Sequence, residues 1–199
     1  LSRGLGDVYK RQDEASQLAA DMEFPVVLKI ASDKILHKSD IGGVKVGIES
    51  EEEAKATFDE IIANAKKAHP DIVPDGVEVQ KMMETGQEVI VGMIKDKQFG
   101  PMIAFGMGGI YVNLIEDVSF KLANGISSQE IDEQINDTKV SELLKGYRGE
   151  APCDIDAVKE AIKRVARLTL DFPEISELDI NPIFVYENGS SALDIKIKL

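Results

Sequence analysis

A chain of 199 residues with 36 acidic and 23 basic side chains carries a formal charge of −13. That balance excludes a broad nucleic-acid surface, because backbone phosphates would be repelled, and no apolar run reaches the roughly 20 residues of a membrane helix. Cys153 is the single cysteine, so no intrachain disulfide can form, which points to a reducing, cytoplasmic setting.

Residues 1–12, LSRGLGDVYKRQ, have neither an apolar period nor a signal-peptide core. They resemble a translated adapter remnant and are set aside as non-native, leaving a domain expected over 13–199 without its natural start. DEASQLAADM predicts a short helix with Ala15, Leu18 and Met22 on one face. FPVVLKI reads as a buried strand with proline at its start, followed by a loop over 31–42 and a second strand, GVKVGIE. The stretch from Ser50 to His69 predicts a helix opened by a Ser50/Glu53 capping box, with Phe58, Ile61, Ile62 and Ala65 buried.

The middle of the chain is β-rich. GVEVQKMM, QEVIVGMIKD, GPMIAFGM and GIYVNLIEDVSFKL read as strands, with KDKQFG as a hairpin connection. Short helices near 127–136 and 138–145 precede a longer one over about 154–171, with Ile155, Val158, Ile162, Val165 and Thr169 on one face. The chain closes with a hairpin, ELDINPIFVY, the turn ENGS and SALDIKIKL. Antiparallel runs separated by helices indicate an α+β architecture and not a doubly wound parallel sheet.

On this acidic body the loop KILHKSDIGGVK, residues 34–45, is basic. Lys29 lies near the end of an apolar strand, where an unpaired ammonium cannot be buried without large cost. It either snorkels outward or, if the loop folds back, converges with Lys38 and Lys45 on one polyphosphate. Gly42 and Gly43 would then allow close backbone approach. His37 sits within this loop, and imidazole is a competent phosphoryl acceptor near neutral pH; a solvated or structural histidine is the alternative. GMGG at 106–109 has neither dinucleotide nor P-loop spacing, and it reads as a tight turn before it reads as a ligand loop. Asp179 and Asn181 fall on one strand face, about 7 Å apart, and the ENGS turn returns Asp194 opposite them. Such an oxygen set suits Mg²⁺, which takes one or two carboxylates plus phosphate oxygens and water; a solvated hairpin face is the bland alternative. Glu84 and Glu88 flank Gly86, and Glu88 at a strand start is a plausible ribose acceptor. Cys153, without a nearby histidine or second cysteine, reads as an inert thiol.

Taken in order, FPVVLKI, ILHKSDIGGVKVGI, VEVQKMMETGQEVIVGMI, FGPMIAFGMGGIYVNLIEDVSFKL and ELDINPIFVY…ALDIKI resemble one family over 13–199. It is the ATP-grasp domain of the NDP-forming acyl-CoA synthetases, closest to the β portion of ADP-forming acetate–CoA ligase. The resemblance implies an α+β, N-terminally truncated ATP-grasp fold of two mostly antiparallel lobes, about 24–78 and 79–199, gripping ATP between them. Lys29 would contact the nucleotide phosphates, and Lys38 and Ser39 would cover them beside His37. Gln80 and Met83 would hold adenine and ribose, with Glu88 as partner carboxylate. Asn181 and Asp194 would hold Mg²⁺, with Asp179 close by. His37 would carry phosphate in a relay with a second phosphohistidine on a CoA-binding α subunit or fused α portion, making a hetero-oligomer the expected assembly. Asn113 stands where the family's pattern has glutamate. The CoA-binding and ligase domains are absent. A nucleotide-sensing, non-catalytic domain of a protein acyltransferase is the second reading, which Asn113 favours and His37 opposes; a biotin-dependent carboxylase-type domain and an acidic interaction module stand behind it.

Overall fold

The computed structural model describes residues 6–35, 38–109 and 117–199; two residues singled out above, His37 and Asn113, lie outside them. The chain divides into two compact units, Leu1–Glu84 and Thr85–Leu199. Each contains an antiparallel sheet with helices on one face, the α+β arrangement expected from the strand runs. No helix among the described residues is long and apolar enough to cross a membrane.

In the first unit, strands β1 (Gly6–Tyr9), β2 (Val26–Ala31), β3 (Val44–Ile48) and β4 (Gly76–Lys81) form a sheet of order β1-β4-β2-β3. Helices α1 (Gln12–Asp21) and α2 (Glu51–Ala68) pack on it and on each other. Alternation decides which side chains meet them: Val26, Leu28, Ile30, Val77 and Val79 are buried with Ala15, Ala19, Phe58 and Ile61. Residues 6–9, set aside in the sequence reading, form β1, antiparallel to β4 at the sheet edge; four residues are too few to display a period. The Ser50 hydroxyl accepts the Glu53 N–H at 3.2 Å as expected. Glu53, however, reaches back to the Glu49 N–H at 2.9 Å, one residue before the position a capping box requires.

In the second unit, β5 (Gln87–Asp96), β6 (Gly100–Met107), β7 (Val118–Leu122), β8 (Glu177–Val185) and β10 (Ile195–Lys198) lie in the order β10-β8-β5-β6-β7, and β9 (Ser190–Ala192) also pairs with β8. One face packs against α3 (Ser128–Asn136), α4 (Val140–Leu144) and α5 (Ile155–Asp171), with Val91, Met93, Ile103, Phe105 and Ile162 in the core. The KDKQFG connection is a turn closed by Asp96, whose Oδ1 accepts the Gln98 and Phe99 N–H groups at 2.7 and 2.9 Å. Of the strand expected over 109–122, Val118–Leu122 is β7; residues 110–116 lie outside the described set. A complete capping box occurs at Ser127 and Glu130, where the sequence reading gave only a helix. The final returning strand is two strands, interrupted at Leu193 and Asp194.

Asp154 joins α5 to the last hairpin. Its Oδ1 accepts the Ala157 N–H at 3.0 Å, capping the helix, and its Oδ2 accepts the Gly189 N–H at 2.8 Å. These backbone bonds, Ala157 first, hold its carboxyl below the usual carboxylate range. A depressed pKa means stability that is complete above the unfolded-state value of about 3.9 and is lost as pH falls through the folded value. Asp154→Ala is expected to lower the melting temperature at pH 7, with the difference from wild type shrinking as pH is taken below about 3.9, read by thermal denaturation across an acid series.

Candidate functional site

In the first unit, β2 and β4 carry polar residues on the face opposite their helices. Lys29 stands directly across from Glu78, and Gln80 follows two residues on along β4. The Gln80 amide Nε2 donates to Glu78 Oε1 at 2.5 Å. Lys29, Glu78 and Gln80 are all half-buried, so this face presents an ammonium, a carboxylate and an amide in one row.

Lys45 does not join them. It pairs with fully buried Leu28, while Lys29 pairs with Val44. Paired residues share a face, so Lys45 points to the helix side, where its Nζ binds Glu60 Oε1 of α2 at 2.7 Å. The expected convergence of Lys29, Lys38 and Lys45 is therefore corrected: strand alternation sends Lys29 and Lys45 to opposite faces.

The loop between β2 and β3 is built on its glycines. Gly43 N–H donates to Lys38 O at 2.8 Å, Gly42 N–H to Ser39 O at 3.0 Å, and Ile30 N–H to Gly43 O at 2.7 Å. Gly42 has φ +67°, and Asn64 Nδ2 of α2 donates to its carbonyl at 3.2 Å. A Cβ on Gly43 would stand 2.8 Å from both Ile30 Cγ2 and Lys38 O. The Gly-Gly pair is thus required by packing of the loop on the strand. Lys38 is half-buried and Ser39 exposed at its outer part. Met83, half-buried, lies between β4 and β5, in the segment that holds Glu84 and Gly86.

The second unit gathers the oxygen-bearing side chains expected to hold a metal. Asp179 on β8 lies opposite Gly92 of β5 and Lys196 of β10. Across the break in the returning strand, the Asn181 N–H donates to Asp194 O at 3.1 Å and the Leu193 N–H to Pro182 O at 3.0 Å. The hairpin so brings Asp194 beside Asn181. At this point the β5–β8 register shifts, with two β8 residues facing Ile90, and the Asn181–Pro182 peptide is cis. Asp179 is half-buried, and burial is the largest cause pushing its carboxyl above the usual range; Asp194 and Glu177 add to it and Lys196 opposes it. Lys196 Nζ lies 3.7 Å from Asp194 Oδ2. A half-buried, destabilised carboxylate beside a second carboxylate and an amide oxygen fits a hard divalent cation. Among the described residues there is no group of three or more His, Cys, Asp or Glu side chains grouped as a metal cage; two carboxylates leave coordination positions to a ligand's oxygens.

Glu88 belongs to the same sheet as this cluster. Its carbonyl accepts the Gly108 N–H at 3.0 Å, and its carboxylate packs against Gly109, where a Cβ would occupy the space of Oε2. Gly109 has φ +77° and donates its N–H to Asn181 Oδ1 at 2.8 Å. GMGG, read from its spacing as a tight turn, instead ends β6 with Gly106 and Met107, and the Gly108–Gly109 pair that follows touches two candidate site residues. Sequence reasoning missed this contact and missed Asp117, whose carboxylate accepts the Lys139 and Val140 N–H groups at 2.8 and 2.9 Å. The signal for the former was the second glycine of the pair, which a simple turn did not need. Cys153 is half-buried; burial first, then Glu150 and Glu187, push its thiol up, which disfavours the reactive thiolate.

A family model described as an ATP-grasp domain matches residues 6–199. The β subunit of ADP-forming acetate–CoA ligase I from Pyrococcus furiosus is 45% identical over 192 residues, covering 96% of this chain and 82% of that subunit. The ADP-forming acetate–CoA ligase I of Archaeoglobus fulgidus is also 45% identical over 192 residues, but this chain spans only 28% of its length. The dinucleotide-forming acetyl-coenzyme A synthetase 1 of Ca. Korarchaeum cryptofilum, solved with coenzyme A, Ca-AMPCP and HgCl⁺, superposes with a TM-score of 0.93 at 41% identity, over 98% of this chain and 84% of that one. The same protein, solved with coenzyme A and Mg-AMPPCP and with its phosphohistidine segment pointing towards the nucleotide binding site, gives a TM-score of 0.82 at 40% identity, over 98% of this chain and 86% of that one. With a matching family model running from residue 6 to the last residue, this chain belongs to the ATP-grasp domain family, as found in the ADP-forming acetate–CoA ligases.

Proposed function

We propose that this chain is the nucleotide-binding part of an ADP-forming acid–CoA ligase, exchanging a phosphoryl group between phosphohistidine and ADP. The observation that carries the reading is the solved relative with Mg-AMPPCP bound and a phosphohistidine segment directed at its nucleotide site, matched by 98% of this chain. Because the chain spans 28% of a fused relative and 82% of a separate β subunit, the CoA-dependent steps belong to a partner: a CoA-binding α subunit in a hetero-oligomer, or an α portion fused in the same gene product. The single cysteine fits a cytoplasmic setting.

The residues take the following parts. Lys29 and Lys38 bind phosphate oxygens, and Ser39 with the Gly42–Gly43 turn covers them. Lys45 holds Glu60 and so keeps the loop's return strand against α2. Gln80 and Met83 contact adenine and ribose, and Glu88 accepts from the ribose hydroxyls. Asn181, Asp194 and Asp179 would hold Mg²⁺, which supplies neutralisation of the phosphate oxygens when bound with the nucleotide. His37 is the nucleophile: a neutral ring nitrogen bonds to the γ-phosphorus of ATP as the bond to the β,γ-bridging oxygen breaks and ADP leaves. The reverse step regenerates ATP and neutral histidine. Positioning and charge neutralisation supply most of the acceleration in such an in-line transfer.

Three outcomes follow. His37→Ala, reconstituted with the CoA-binding partner, is expected to reduce formation of ATP from ADP to background while Kd for ADP stays within about threefold; unchanged turnover would remove His37 from the mechanism and favour the nucleotide-sensing reading. Lys29→Met is expected to weaken ATP binding by about tenfold to a hundredfold, the loss of one charge-assisted hydrogen bond, in titration calorimetry. Asp179→Asn is expected to stabilise the ligand-free protein in EDTA while weakening Mg²⁺–nucleotide binding. A raised carboxyl pKa means an ionised form disfavoured by folding, so the penalty begins near the unfolded value of about 3.9 and is complete above the folded one. The variant's gain in melting temperature should accordingly grow from acid pH towards neutrality and then level off.

A further inference from the structure

We propose that Asn181 is a positioning residue for Glu88, acting through the Gly108–Gly109 pair; the functional half of this proposal rests on Glu88 being the ribose acceptor. Three contacts carry it. Asn181 Oδ1 accepts the Gly109 N–H at 2.8 Å. The adjoining Gly108 N–H donates to the Glu88 carbonyl at 3.0 Å. The Gly109 Cα lies against the Glu88 carboxylate so closely that any side chain there would displace Oε2.

The orientation of the Asn181 amide is settled by its partner. A backbone N–H can only donate, so the atom facing Gly109 must be the oxygen. Gly109 also holds φ +77°, a conformation that costs glycine least, and its N–H is directed onto Asn181 Oδ1 in that conformation. The glycine pair is thus tied to β8 through Asn181 and to β5 through the Glu88 carbonyl. Its glycine surface forms one wall for the Glu88 carboxylate.

The amide suits this position better than an acid would. Asp179 precedes Asn181 by two residues on β8, and the Asp194 carbonyl accepts the Asn181 N–H at 3.1 Å, so two carboxylates already stand close to it. A third carboxylate would add repulsion, whereas an amide supplies the acceptor without charge. An amide oxygen has two lone pairs, so acceptance from Gly109 leaves one free for a cation. The same side chain can thus serve the cation site and set the position of the carboxylate on β5.

The test separates this role from metal ligation by excluding metal. In EDTA and without nucleotide, amide hydrogen exchange of Gly109 is followed by NMR in wild type, Asn181→Ala and Asn181→Asp. Exchange at Gly109 is expected to accelerate about fivefold to tenfold in Asn181→Ala, matching the loss of one hydrogen bond, and to stay near wild type in Asn181→Asp, which keeps an acceptor. The amides of Val91 and Phe105 in the β5–β6 ladder report that each variant is folded. In a second arm, affinity for adenosine, which carries no phosphate, is measured in EDTA for Glu88→Ala, Asn181→Ala and the double variant. Asn181→Ala is expected to weaken binding, and the double variant to bind no more weakly than Glu88→Ala. Equal Gly109 exchange in wild type and Asn181→Ala overturns the bridge, and losses that multiply overturn its action through Glu88. A Glu88→Ala variant that binds adenosine as wild type does overturns the ribose reading and the functional half with it, a result distinct from failure of the exchange arm.

Discussion

Each sheet buries one face under helices, and strand alternation must then deliver every second side chain to the other face. That constraint sorts the molecule's chemistry. In the first unit it sends Leu28 and Val79 to the core and Lys29, Glu78 and Gln80 to the open side. In the second it buries Val89, Val91 and Leu178 and leaves Glu88 and Asp179 half-exposed. A polar residue in these strands is therefore displayed by the same packing that forms the core, and the apolar residues on either side of it hold it in place.

The helices add a second layer of control through their ends. Asp154, Ser50 and the Ser127–Glu130 pair each satisfy N–H groups that a helix start leaves without intrahelical partners. Asp154 also reaches the last hairpin, and Asp117, immediately before the first residue of β7, reaches the start of α4. These carboxylates tie helix positions to strand ends, so the covering layer and the sheet are held in one register.

Much of this was legible in the sequence because it depends on local period and turn chemistry. QEVIVGMIKD and GPMIAFGM coincide with β5 and β6 residue for residue, and the ENGS turn predicts the pairing that brings Asp194 to Asn181. What was not legible depends on register between strands far apart or on contacts across a sheet. Nothing in HKSDIGGVK states that Lys45 will pair with Leu28, and one residue of slip would have reversed its face. The edge strand Gly6–Tyr9 is too short to carry a period. The Gly109–Asn181 bond joins residues 72 apart, and a glycine pair alone cannot say which side chain it serves.

The exposed ENGS segment acts as a ruler for the placement of Asp194 opposite Asn181. Tyr186 N–H donates to Gly189 O at 3.0 Å, and Gly189 N–H is held by Asp154 at 2.8 Å, so the bend is fastened within itself and to α5. From that fixed bend, chain length alone sets which returning residue arrives opposite Asn181. A single deletion between Glu187 and Leu193 would slide Ile195 into Asp194's place, and a single insertion would slide Leu193 there, either one exchanging a carboxylate for an aliphatic group. A solvent-facing bend of this kind makes no core contact of its own, yet its residue count decides which side chain returns opposite Asn181.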